Sequence, residues 1–102
     1  MCMDARLDNM LDGAALESAS ECLKTIAHPV RIRVIELLLR EWHTVGALAE
    51  ACGVSQSAMS THLRILSDRG LLRPIREGRS VYYEIAEPGL ASILDCIHKR
   101  YG

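Results

Sequence analysis

The sequence predicts a mainly α-helical domain with one small β-hairpin, and three observations carry that prediction. Apolar residues recur at helical spacing in five stretches. Two of these are short and flank a glycine-centred turn, Ala51-Cys52-Gly53-Val54-Ser55. Extended segments then surround Glu77-Gly78-Arg79, a hairpin-turn signature. A length of 102 residues suits one domain, not two. Charged residues are 25% and hydrophobic residues 49% of the chain, a globular balance that argues against intrinsic disorder.

Each element has its own signal. Residues 1–13 are weakly periodic and read as a flexible N-terminal arm, leaving 14–102 as the domain. Ala15, Ala19, Cys22 and Ile26 share one helical stripe, with Leu16, Leu23 and Ala27 beside it, so a helix is expected over about 14–27. Pro29 suits the first position of a second helix, with His28 as its cap. The stripe Ile32, Ile35, Leu38 and Leu39 carries that helix to about residue 41, and Trp42 and His43 fall in a loop. Thr44 caps a short helix, Val45 to Cys52, which Gly53 stops. Ser55 caps the next, with Met59, Leu63 and Leu66 facing inward and Gly70 at its end. Residues 71–76 and 80–85 make the hairpin, and Pro74 marks the first strand as an edge. Pro88 opens a last helix with Leu90, Leu94, Ile97 and Tyr101 on one face. In this order the elements form a winged helix-turn-helix of five helices and a two-stranded wing. Phenylalanine is absent and aromatics are 4%, so the core is Leu, Ile, Val and Ala. A core that small leans on a partner subunit, and a dimer is expected.

Charge narrows the function. Twelve Lys and Arg nearly cancel thirteen Asp and Glu, so nucleic-acid binding requires a local patch. Residues 1–22 set Asp4, Asp8, Asp12, Glu17 and Glu21 against Arg6 alone. Residues 55–80 set Arg64, Arg69, Arg73, Arg76 and Arg79 against Asp68 and Glu77. On the fourth helix Gln56, Ser57, Ser60, Thr61 and Arg64 lie opposite the apolar stripe. Small hydroxyl residues let a helix sit deep in a major groove about 12 Å wide, where Gln and Arg reach base edges or phosphates. Arg76 and Arg79 at the hairpin tip are placed to reach phosphates or an adjacent minor groove. His62 has two readings, a DNA contact or a bond to the preceding backbone. No apolar run approaches the ~20 residues of a membrane span, and the N-terminus does not read as an export signal, so a cytoplasmic protein is expected. No phosphate loop, HExxH or nucleophile elbow is present, and no enzyme is expected.

These residues resemble the ArsR/SmtB family of transcriptional repressors. The resemblance is carried by Leu23-Lys24-Thr25-Ile26-Ala27-His28-Pro29-Val30-Arg31, by the run from Val54 through Leu66, by Gly70-Leu71-Leu72 and by Arg76 through Tyr83. It covers about residues 20–101. It implies a homodimer joined through the first and last helices, a palindromic double-stranded DNA operator, and an inducer that weakens DNA binding. It also assigns groove contacts to Gln56, Ser57, Ser60 and Thr61.

The sensor departs from the family's patterns. Where metal sensors of one type carry Cys-Val-Cys, this chain has Thr44-Val45-Gly46. The positions of zinc ligands on the last helix of another type hold Glu87, Gly89 and Arg100, and Gly and Arg bring no zinc donor. The cysteine pair of persulfide sensors is replaced by Glu36 and Gly102. No cofactor is therefore required by the sequence. Cys22 and Cys96 remain as sensing candidates on the two helices implied at the dimer interface, with small buried hydrophobes as the competing reading. Under the first reading the signal is thiol-reactive: an oxidant, a persulfide or an arsenite-like species. Two alternatives stay open. One is a metal-responsive repressor whose site gathers Cys22, Cys96 and a His or Cys2 across subunits. The other is a winged-helix interaction module without an inducer.

Overall fold

The computed structural model describes residues 10–102, and residues 1–9 of the expected arm, Cys2 among them, lie outside the described residues. The elements run α1 (Gly13–Ile26), α2 (Pro29–Leu38), β1 (His43–Thr44), α3 (Val45–Cys52), α4 (Gln56–Asp68), β2 (Leu72–Glu77), β3 (Ser80–Ile85) and α5 (Leu90–Tyr101). The five helices and the wing thus stand where the sequence reading sets them, although α2 stops at Leu38 instead of about residue 41, and two further details differ.

Gly13 begins α1 instead of closing an arm. Asp12 is the cap, its side chain accepting from Ala15 N at 2.8 Å. The second difference is a third strand. His43, expected in a loop, and Thr44, expected as and found to be the cap of α3, pair antiparallel with Tyr83 and Tyr82, giving the sheet order β1-β3-β2. Two residues carry too little periodicity to announce a strand. They form one because the inner strand β3 offers them an open edge. Pro74 does lie on the edge strand β2, opposite Tyr83.

Caps set the other boundaries. His28 Nδ1 accepts from Val30 N at 3.1 Å ahead of Pro29. Thr44 and Ser55 accept from Ala47 N and Ala58 N. Gly53 turns the chain between α3 and α4 at φ +67°, a left-handed conformation that costs other residues energy. The core joins α2, α3, α4, the start of β2 and α5: Val34, Ile35, Leu48, Met59, Leu63 and Leu66 are fully enclosed, with Leu90 and Leu94 closing one side. Across that side Glu36 of α2 meets His98 of α5 at 2.5 Å. Of α1, only Thr25 and Ile26 are buried, while Leu16 and Leu23 remain more than half exposed. Tyr101, expected on one face of α5 with Leu90 and Leu94, is also open to solvent.

Candidate nucleic-acid interface

The site is built on α4, a helix with two unlike faces. Met59, Leu63 and Leu66 recur along one face and are completely buried, which fixes the helix about its long axis. The opposite face must then be Gln56, Ser57, Ser60, Thr61 and Arg64, and all five are exposed. The Ser55 cap leaves the N-terminal end of this row next to the α3–α4 turn.

Local contacts give the row its shape. Gln56 lies across the first turn of α3, so close that a side chain at Gly46 would put its Cβ 3.3 Å from the Gln56 amide nitrogen. Glycine at 46 therefore leaves room for this glutamine. The Thr61 hydroxyl donates back to the Ser57 carbonyl at 3.3 Å. Arg64 makes no ion pair among the described residues and is open to an outside anion.

The wing extends the same chemistry. Its two strands meet Glu77 to Ser80, with Gly78 at φ +61° making the tight turn. Arg73 is consumed within the wing, its Nε 2.6 Å from Glu84 Oε2 across the strands. Arg76 and Arg79 are exposed and join no ion pair among the described residues. Of the wing's arginines, the two at the tip thus keep their charge available.

His62 sits off the outer row and has a partner inside the protein. The ring is half-buried and turned toward α2, where Nδ1 accepts from Arg31 Nε at 3.0 Å and the ring meets that of His28. Within the chain its partner is thus a side chain of α2 and not the preceding backbone. Burial first, then the neighbouring His28 and Arg31, pushes its pKa below the usual histidine range. Nothing in the sequence links positions 31 and 62. Their meeting is a product of helix packing.

The sensing candidates are placed differently from one another. Cys22 is half-buried on α1 against the core. Cys96 is exposed on α5 in an open groove with Ser92, Asp95, Lys99 and Arg100. Both are free thiols, and no bond joins them within the protomer. Cys52 is half-buried beside the helix-turn-helix turn, and desolvation pushes its thiol pKa up. Among the described residues no three His, Cys, Asp or Glu side chains gather as a metal site. No helix among them is long and apolar enough to cross a membrane.

Comparison with known proteins agrees with the fold. A helix-turn-helix domain family model matches residues 26–75. The nodulation protein NolR of Rhizobium meliloti is 35% identical over 86 residues, covering 84% of this chain and 70% of that protein. The transcriptional repressor SmtB of Mycobacterium tuberculosis is 38% identical over 79 residues, covering 78% of this chain and 58% of that one. Among solved structures, the homodimeric winged helix-turn-helix DNA-binding domain Mb0332 of Mycobacterium bovis, a possible ArsR-family regulator, superposes with a TM-score of 0.75. It is 29% identical and covers 83% of this chain and 79% of that one.

Proposed function

Because this chain belongs to the ArsR/SmtB family of winged-helix DNA-binding transcriptional regulators, we propose that it is a homodimeric repressor of a palindromic operator, released by a thiol-reactive signal. It is a regulator and not an enzyme. The observation that carries the DNA reading is the two-faced α4, sealed through Met59, Leu63 and Leu66 and open through Gln56, Ser57, Ser60, Thr61 and Arg64. Serine and threonine keep the outer face shallow, so the helix can approach base edges closely. Gln56 and Arg64 supply the hydrogen bonds that read bases or hold phosphates. Arg76 and Arg79 grip the flanking backbone.

A single α4 buries too little surface for a tight site, and two-fold pairing supplies a second. Half-sites then lie about 34–36 Å apart, one helical turn of DNA. Support for the dimer comes from the homodimeric Mb0332, from the uncovered Leu16 and Leu23 of α1 and from an exposed Tyr101 on α5. Repression is supported by SmtB, which is named a repressor. The cytoplasm, where the DNA is, is the compartment this reading needs.

The thiol reading rests on Cys96, open to a reagent, and on Cys22, set where α1 meets the core. A modification at either changes the helices expected to join the subunits, and through them the spacing of the two α4 helices. No bound cofactor is needed. The test is fluorescence anisotropy on a labelled duplex selected by the protein from a random pool, in reductant and then after mild oxidant or persulfide. Binding that collapses on treatment and survives in Cys22→Ser or Cys96→Ser supports the switch. Equal binding in every case removes the thiol signal, and failure to select any duplex removes the DNA reading.

A further inference from the structure

One guanidinium ties three helices together behind the DNA-facing row. Arg31 of α2 donates from Nε to His62 Nδ1 on α4 at 3.0 Å and from Nη1 to the Thr25 carbonyl on α1 at 2.9 Å. The His62 ring lies against the His28 ring, with centroids 4.7 Å apart and planes tilted by 60°. His28 is itself immobilised, because its Nδ1 caps α2 by accepting from Val30 N. The tie is therefore anchored at both ends. On α4 it acts at a residue that directly follows Thr61 and lies two positions before Arg64.

We infer that Arg31 is a positioning residue for DNA binding: held by the Thr25 carbonyl, it holds His62 and so sets the angle at which α4 presents Gln56, Ser57, Ser60, Thr61 and Arg64. This inference rests on the DNA-binding reading and adds to it a residue that stands behind the interface. The buried stripe of Met59, Leu63 and Leu66 sets which face of α4 is outward, and the Arg31 bond adds a fixed contact on the side that faces α2. Apolar contact is not directional, whereas a hydrogen bond from a charged, forked donor is. Arg31 supplies that direction. It also links α4 to the last turn of α1, the turn after Cys22.

The chemistry of the tie gives it a signature. Nδ1 accepts only when it carries no proton, so His62 is neutral with its hydrogen on Nε2. A proton on Nδ1 removes the acceptor and sets a cation against Arg31, facing His28. On the α1 side of the junction the charged groups are Glu21 and Lys24, 3.8 Å apart, and Glu21 also reaches Arg69, the C-cap of α4, at 3.5 Å. The tie is intact at pH 7.5 and is lost as pH falls through the depressed pKa of His62.

The experiment measures affinity for the selected duplex against pH and against salt, with melting curves recorded in parallel. Arg31→Ala should lose about tenfold in affinity at pH 7.5, the scale of a hydrogen bond to a charged group. Its salt slope should stay as in the native chain, since a residue that neutralises no phosphate releases no counterion. Asn at position 62 offers an acceptor where Nδ1 stands and does not titrate. His62→Asn should therefore bind within about threefold of the native chain at pH 7.5 and weaken less steeply toward acid. If Arg31→Ala does not fold, the comparison of pH profiles still decides. Native affinity in Arg31→Ala, a salt slope reduced by about one, or equal pH profiles for His62→Asn and the native chain would each overturn the inference while leaving DNA binding in place. A native protein that selects no duplex overturns the reading beneath it instead.

Discussion

Whether an arginine is free or engaged decides what it can do for this protein. Arg73, Arg76 and Arg79 sit within seven positions of one another, yet Arg73 spends its charge on Glu84 across the wing and the other two do not. Losing a free arginine that meets a phosphate lowers affinity for every sequence and removes about one unit from the salt slope. Arg79→Ala and Arg64→Ala should therefore each weaken binding and flatten log Kd against log salt, whereas Arg73→Ala should leave the slope close to native. Anisotropy titrations between 50 and 200 mM salt, roughly the range over which such contacts fade, distinguish the three. Serine, glutamine and arginine opposite an apolar stripe were enough to pick out the exposed row. Sequence position could not tell a free arginine from a paired one, because pairing depends on strand register. The surroundings of His62 were hidden for the same reason. It falls one residue off the outer row, and only the packing of α2 on α4 reveals its Arg31 partner.

The boundaries of the helix-turn-helix come from short-range chemistry. Ser55 accepts from Ala58 N and satisfies a donor that the first turn of α4 would otherwise leave open. Ser55→Ala should cost about 1 kcal/mol in urea unfolding. Ser57→Ala, in the first turn of the exposed row, should leave stability near native and act instead on DNA affinity. Equal stability losses in the two would mean that the cap does not set the start of the helix. These caps were legible because each acts over three residues or fewer. The strand β1 was not, since His43 and Thr44 become a strand only where Tyr82 and Tyr83 lie alongside. Asp12, too, is a cap that weak periodicity concealed.

The molecule as a whole is less compact than its length requires. Its radius of gyration is 15.4 Å, against about 13 Å for a spherical chain of ~100 residues. The excess matches a protruding wing and an α1 that buries only its last turn. A 14-residue helix with so little covered is marginal alone in water. A second copy of the chain would cover it. Leu23→Asp should then convert the protein from dimer to monomer in sedimentation velocity, reduce its helical signal, and weaken operator binding with it. A variant that stays dimeric would place the subunit contact elsewhere. Glu36 fastens α5 to the core through His98, and that hydrogen bond, aided by Arg33, holds the Glu36 carboxyl below its usual range against the opposing effect of burial.

By itself the sequence determined the order of helices, turn and wing, the direction in which α4 faces, and the family. All of these depend on periodicity, caps and turn residues that act within a few positions along the chain. The tertiary structure alone decided that His43 and Thr44 extend the sheet, that Arg73 is spent while Arg79 is free, and that Arg31 reaches His62 across 31 positions. Those outcomes require two distant segments to arrive at one place, and a contact of that kind leaves no local pattern to read.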